Sequence, residues 1–228
     1  MLDRINTLVN QVYQQELAQK NAEIEALQAQ INPHFLYNTL DSVNWMLIAR
    51  GEMDISAVVV ALGKLMQYSM DTARAMVSLE EEYRNVRDYL MIQKNRLEDR
   101  LEFTLELDET LKCFPVPKLI LQPLVENAIK YGIEPSLQPG HILVRTRKTD
   151  DDIQILVKDN GCGMDEAQLT FYRRLLRNDL SGQTNIGVRN VARRLQLHFG
   201  GRCGFNVSSR PGDGLSITIR IPAQEEQS

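Results

Sequence analysis

The spacing of apolar residues changes near residue 100, and that change restricts most severely what the chain can fold into. Up to Leu97 the spacings of the apolar positions mix threes, fours and sevens, the pattern of a helix with one buried face. From Leu101 to Leu107 apolar residues alternate with Glu102, Thr104 and Glu106, the period of a half-buried strand. A helical period does not serve as a strand pattern, so the two parts must build different architectures. At 228 residues the chain is long enough for each part to have its own core.

The first part has no glycine or proline from Met1 to Asn32, and its apolar seam runs through Leu2, Ile5, Val9, Val12, Leu17, Ile24, Leu27 and Ile31. The Gln-rich stretch from Gln11 to Gln19 is polar enough that a lone helix there would be marginal. A parallel coiled coil is therefore expected over 1–27, with a frayed terminal helix as the alternative. The pattern continues through Phe35, Leu36, Leu40, Val43 and Leu47 and stops near Arg50-Gly51, glycine being a common helix terminator. A second helical pattern follows Asp54, a candidate N-cap, through Val58, Leu62, Leu65, Met66 and Met70. It resumes after Ser78, with Glu81 in capping-box register, through Tyr83, Val86, Leu90 and Leu97. Two long helices joined by a short turn make a helical hairpin over 28–98. Its apolar stripe would be buried by a second copy in a four-helix bundle, so a homodimer is expected.

Beyond Leu107 a helix is expected from Pro117 to about Lys130, with proline in its first turn. The runs His141–Lys148 and Ile153–Lys158 flank a charged turn and read as a hairpin. Helices follow from about Asp165 and from Ile186 to His198, the latter ended by Gly200-Gly201. Cys203–Ser209 and Leu215–Ile221 form a last strand pair around Pro211-Gly212-Asp213-Gly214. Helices interleaved with antiparallel hairpins predict an α+β sandwich over 101–223, helices on one face, with a polar tail at 224–228.

Bulk properties narrow the function. A formal charge of −4 argues against sequence-independent nucleic-acid binding, which needs a basic face. No run of about 18 apolar residues is present, and Asp3, Arg4 and Asn6 interrupt any apolar leader. The three cysteines and three histidines are scattered, which fits a reducing compartment better than disulfides or a His/Cys metal centre. A soluble intracellular domain pair is expected.

Two sets of residues could carry chemistry. His34 lies in Gln30-Ile31-Asn32-Pro33-His34-Phe35-Leu36-Tyr37-Asn38-Thr39-Leu40. A lone histidine in an amphipathic helix is usually structural. Here Pro33 loosens the preceding turn, and Asn38, one helical turn on, can reach the ring or an attached phosphoryl group. Neutral imidazole is a competent nucleophile near physiological pH.

The second set is split along the chain. In Glu126-Asn127-Ala128-Ile129-Lys130-Tyr131, the Asn127 amide oxygen is a hard ligand suited to magnesium. Glu126 could hold a metal-bound water or help polarise the attacking group. Lys130 shares the Asn127 face and could offset phosphate charge. The bland reading is an ordinary helix end with Gly132 as its stop. In Asp159-Asn160-Gly161-Cys162-Gly163, Asp159 can accept a hydrogen bond from an adenine amino group, and Gly161 and Gly163 allow close backbone approach. As a plain turn, Asp-Asn-Gly is common. Asn185-Ile186-Gly187-Val188 opens a helix whose free N–H groups are an anion site. Each motif is ambiguous alone; their order along the chain is not.

These residues resemble the ATP-binding domain shared by gyrase, the 90-kDa heat-shock proteins, histidine kinases and the MutL repair protein, the GHKL type. More narrowly, Asn32-Pro33-His34-Phe35-Leu36-Tyr37-Asn38-Thr39-Leu40 and Gln122-Pro123-Leu124-Val125-Glu126-Asn127-Ala128 resemble a LytS/YesM-type sensor histidine kinase, from about Gln28 to Pro222. The resemblance implies a dimerisation and phosphotransfer hairpin followed by a GHKL sandwich. It implies that His34 is autophosphorylated from ATP with magnesium on Asn127, and that a response-regulator aspartate then receives the phosphoryl group. Asp159 would contact adenine, and Gly161, Gly163 and Gly187 would shape a pocket flanked by Tyr131, Ile186 and Val188. Residues 164–185 would form a lid, and Leu97–Leu101 a hinge. It implies too a cytoplasmic portion of a membrane-anchored sensor whose N-terminal sensing region is not in this sequence. Phe35 and Pro123 depart from the broader kinase pattern, as expected in this subfamily. Asn185, in place of a frequent glycine, and Leu215, in place of a frequent threonine, bear on nucleotide affinity. A nucleotide-weak pseudokinase and an ATPase clamp with His34 as bystander are the alternatives.

Overall fold

The computed structural model describes residues 33–71, 73–149, 151–176 and 186–223, so the coiled coil over 1–27, the polar tail and Asn185 lie outside the described residues. The chain divides into two compact units, 1–51 and 52–228. In the first, helix α1 (Pro33–Ala49) ends where expected. Arg50 and Gly51 donate their N–H groups to the carbonyls of Leu47 and Ile48, and Gly51 takes a φ of 77°, a left-handed conformation that costs glycine little. Phe35, Trp45, Met46 and Ile48 of α1 are all exposed.

The second unit opens with α2 (Met53–Met70). Asp54 is not its cap: the helix begins one residue earlier, and Asp54 sits in the first turn, where its charge favours the positive end of the helix dipole. The apolar pattern does not run on into the next helix. Asp71 leaves helical geometry, and its side chain accepts from the Ala73 N–H and the Arg74 guanidinium. A short strand, β1 (Met76–Ser78), follows. Helix α3 (Leu79–Leu97) then starts from a capping box. Ser78 Oγ accepts from the Glu81 N–H at 3.2 Å, and Glu81 Oε2 accepts from the Ser78 N–H at 3.0 Å. Three helices thus stand where two were expected, because the Asp71 turn and the Ser78 cap compete successfully with helix continuation.

Helix α3 packs against α2 and also on the sheet. Its apolar stripe, Leu79, Tyr83, Val86 and Leu90, lies in one hydrophobic core with the sheet. Tyr83 adds a bond from its hydroxyl to the Glu106 carbonyl and another shared with Thr146. Leu101, which follows the helix, is wholly buried and Leu97 packs on the same core. The Leu97–Leu101 junction, expected as a hinge, thus falls within one compact unit, with Glu98, Asp99 and Arg100 exposed between its packed ends.

The remaining elements are β2 (Leu101–Leu107), β3 (Pro115–Pro117), α4 (Gln122–Asn127) with a π turn over Ala128–Ile133, β4 (Gly140–Lys148) and β5 (Asp152–Asp159). They are followed by α5 (Glu166–Leu176), α6 (Ile186–Phe199), β6 (Gly204–Ser209) and β7 (Leu215–Pro222). Five strands form one sheet in the order β2-β4-β5-β7-β6, the first pair parallel and the others antiparallel. On its covered face Ile142, Val144, Ile153, Ile155, Val157, Ile217, Ile219 and Ile221 are buried, each stabilising the fold by roughly 1.5–3 kcal/mol. The alternate positions carry Arg145, Arg147, Gln154, Lys158 and Arg220. A sheet with one apolar and one polar face takes its helices on one side, the expected α+β sandwich.

The helix expected from Pro117 starts later. Pro117 ends β3, which pairs with β1, and the proline of the first helical turn is Pro123. Between them Leu119 has a φ of 60°, a costly value for a leucine. The Glu82 carboxylate of α3 compensates by accepting the N–H groups of Leu119, Ile120 and Leu121 at 2.6, 2.9 and 2.9 Å. Its fourth donor is the Tyr68 hydroxyl from α2.

Candidate functional site

Strand alternation delivers Asp159 to the interior. In β5 the buried positions are Ile153, Ile155, Val157 and Asp159, so the carboxylate occupies the last inward place of an apolar row and is 3% exposed. Burial pushes its carboxyl up from the ordinary carboxylate range, against the bonds its Oδ1 accepts from the N–H groups of Gly161 at 2.9 Å and Leu215 at 3.3 Å. Both bonds fall on Oδ1.

Glycines let other backbone close around this group. A Cβ on Gly132 would meet Asp159 Oδ1 at 2.7 Å, and one on Gly161 would lie 2.3 Å from the Gly132 carbonyl. Gly214, at a φ of 77°, would bring a Cβ to 2.0 Å from the Asp159 carbonyl. Gly161 and Gly163 were legible as pocket-shaping positions. Gly132 reads in the sequence as a helix stop and Gly214 as part of a turn, and nothing local shows that both abut Asp159.

Around Asp159 lies a cavity of about 530 Å³, large enough for a cofactor or nucleotide base. Asn127 and Tyr131 form one wall, and Gly163 and Met164 border it. Lys130 does not line it; its ammonium lies over the Tyr131 ring, 5.1 Å from the centroid. The expectation that Lys130 shares the Asn127 face is corrected by the π turn, in which the Glu134 N–H bonds to the Ile129 carbonyl. A π turn holds more residues than an α turn, so the four-residue neighbour Tyr131, rather than Lys130, comes to the Asn127 side. Such turns recur at functional sites.

The opposite wall is α5, through Ala167, Gln168, Phe171 and Tyr172. This helix is anchored: Asp165 Oδ1 accepts from the Gln168 N–H at 2.8 Å, and Leu169, Leu175 and Leu176 enter the core. Of the expected lid over 164–185, the part over 166–176 is a packed helix, and 177–185 lies outside the described residues. Leu215 also borders the cavity, and since its backbone N–H holds Asp159, its departure from threonine leaves that bond in place.

Several expected residues stand elsewhere. Glu126 is exposed and accepts from Gln122 Nε2 at 2.6 Å. Gly187 and Val188, at the start of α6, do not line the cavity; a Cβ on Gly187 would touch Pro123 at 3.4 Å, and Val188 is buried in the core. Ile186 opens the same helix. On α1, His34 is exposed, and the Asn38 amide nitrogen stands 3.3 Å from its Nδ1 and 3.4 Å from its Nε2. The one-turn spacing thus brings these two side chains together.

The family models divide the chain later than the boundary between its compact units. The histidine kinase family model matches residues 22–101, and the model for histidine kinase-, DNA gyrase B-, and HSP90-like ATPases matches residues 116–225. The chain belongs to the histidine kinase family, as a LytS/YesM-type kinase portion with a GHKL-type ATPase fold. It is 42% identical to "Sensor histidine kinase YesM" of Bacillus subtilis (strain 168), over 99% of this chain and 38% of that protein. It is 31% identical to an "Uncharacterized sensor-like histidine kinase" of Staphylococcus epidermidis, over 94% of this chain and 41% of that one. The chain therefore spans about two fifths of the length of these curated relatives. Among solved structures, the histidine kinase domain of the Erythrobacter litoralis EL346 blue-light activated histidine kinase aligns with a TM-score of 0.49 at 18% identity, covering 83% of this chain and 95% of that one. Among the described residues no helix is long and apolar enough to cross a membrane.

Proposed function

We propose that this chain is the kinase portion of a two-component sensor, binding ATP in the Asp159 cavity and autophosphorylating His34. The observation that carries the reading is the contrast between a buried acceptor, Asp159, sharing a cavity with Asn127 and Tyr131, and an exposed imidazole on a separate unit. A ring nitrogen of His34 attacks the γ-phosphorus of ATP in line; the N–P bond forms, the bridging O–P bond breaks, and ADP leaves. Asn38 is poised beside the imidazole to orient it and to donate to the phosphoryl oxygens. Asp159 fixes the base by accepting from its amino group, and Tyr131 supplies an aromatic wall. The phosphoryl group then passes to an aspartate of a response regulator.

The residues present fit magnesium held largely through the nucleotide. Asn127 offers one neutral oxygen in the cavity wall, and among the described residues no cluster of three His, Cys, Asp or Glu side chains could hold an ion alone. When bound, the ion would neutralise phosphate charge. Glu126 stands one residue from Asn127 and could hold an ion-bound water. Lys130, Gly187 and the N–H groups from Ile186 to Val188 remain candidates for the phosphate side.

The exposed apolar residues of α1 support a homodimer in which a second copy covers them. Relatives named as sensor kinases, and considerably longer, support a cytoplasmic portion of a membrane-anchored sensor. The test is incubation with γ-labelled ATP and magnesium beside a His34→Gln variant. Acid-labile, alkali-stable label on the parent alone is the expected result. Steady phosphate release without label would point to an ATPase clamp, and no nucleotide binding to a pseudokinase.

A further inference from the structure

We infer that Tyr172 reads the base: its hydroxyl donates a hydrogen bond to N1 of adenine while Asp159 accepts from the adjoining amino group. This rests on the reading above that the cavity takes ATP. Tyr172 is 4% exposed and borders the cavity together with Asp159 and Asn127. Its hydroxyl has no hydrogen-bond partner among the described residues. The other buried polar side chains of this unit are engaged: Tyr83 with Thr146, and Glu82 with four donors. One more such atom exists among the described residues, Asn85 Oδ1, but that side chain is held through its amide nitrogen by Gln122 and lies off the cavity.

Packing does not explain the hydroxyl. On α5 the residues Leu169, Tyr172, Leu175 and Leu176 share the buried face, and a phenylalanine would fill the same place without burying an unmatched polar group. Burial and the negative charge of Asp159 both push the hydroxyl up, so it stays protonated and a donor at working pH. A carboxylate acceptor and a phenol donor, on two residues that border one cavity, complement adenine, whose amino group adjoins a ring nitrogen acceptor. Guanine presents a carbonyl and a ring N–H in those places, so the same pair opposes it. A site built to hydrogen-bond a base discriminates strongly because mismatched buried groups lose their partners.

The test pairs a protein change with a ligand change on the full chain, by calorimetric titration and thermal melts. Tyr172→Phe is expected to leave the ligand-free melting temperature unchanged or raised, to weaken ATP binding about ten-fold, and to change GTP binding less than about two-fold. On the parent protein, 1-deaza-ATP, which lacks the acceptor, is expected to bind about ten-fold more weakly than ATP, with no further loss in the variant. Equal affinity of the parent for ATP and 1-deaza-ATP would overturn the inference, and needs no variant to fold. A lower ligand-free melting temperature in the variant would overturn it as well, since the hydroxyl would then already be satisfied. If the parent bound neither nucleotide, the reading of the cavity itself would fall.

Discussion

Glu82 and Asp159 are both buried, at 0% and 3% exposure, and burial pushes both carboxyls up. What surrounds their oxygens differs. Glu82 Oε1 accepts from Tyr68 and Leu119, and Oε2 from Ile120 and Leu121, so four donors fill a carboxylate's acceptor sites. Asp159 receives two N–H groups, both on Oδ1, and stands at a cavity wall. Glu82 ties α2 and α3 to the turn that precedes Asn127. Asp159 keeps acceptor capacity for something that arrives. A buried carboxylate is structural when its lone pairs are spent within the protein, and a candidate for function when they are not.

The largest effect should come from Glu82→Ala, which strands three backbone N–H groups and the Tyr68 hydroxyl. We expect a loss of about 3–5 kcal/mol in urea denaturation. Glu82→Gln should be nearly as damaging, because its amide would turn N–H groups toward donors on one side or the other. A Gln variant within about 1 kcal/mol of the parent would break the comparison at its strong end.

Next is Gly161→Ala, whose Cβ would sit 2.3 Å from the Gly132 carbonyl. The expected cost is about 1–3 kcal/mol, with loss of ATP binding as Gly132 is driven away from Asp159. Retained stability and affinity would show that this backbone yields easily.

Ser78→Ala offers a ruler within α3, with an expected loss of about 1 kcal/mol by thermal melt. Its partner Glu81 has a carboxyl lowered first by the Ser78 N–H bond. Because the folded state holds Glu81 deprotonated below its ordinary range, that contribution is present above about pH 4.3 and is lost as pH falls through the lowered value. Alanine keeps that N–H and loses only the hydroxyl, which also donates to Glu81 Oε2 at 3.2 Å, so the gap between parent and Ser78→Ala should narrow in acid by that smaller share alone.

Asp159→Asn should alter stability least while abolishing tight ATP binding. The amide oxygen can still accept from Gly161 and Leu215, and no charge is buried. The folded-state carboxyl is raised, so between its unfolded and folded values the native protein binds more protons. Parent stability then falls as pH rises through that window, relative to the Asn variant. Parallel stability-versus-pH curves for the two proteins would contradict this.

Much of the architecture was legible because its signals are local. Leu101–Leu107 formed the expected strand, and the two hairpins fell within a residue or so of their predicted limits. Ser78 and Glu81 formed their capping box. Of the pocket residues, Asn127, Tyr131, Asp159 and Gly163 line the cavity and Gly161 backs it. The parallel pairing of β2 with β4 spans distant segments and left no local mark. Pro117 was mistaken for a helix opener because proline is equally at home at a strand end, and only β1, brought alongside, distinguishes the two. Nothing in the sequence sets Tyr172 apart within its helix.

The sequence by itself determined the periods and the Ser78–Glu81 capping box, since each depends on residues within a turn or a strand of one another. The tertiary structure alone decided that α3 joins the sheet, that a π turn exchanges Lys130 for Tyr131 beside Asn127, and that Tyr172 shares a cavity with Asp159. Those outcomes depend on which distant surfaces bury each other and on which polar atoms burial leaves without a partner, and both are properties of the packed chain.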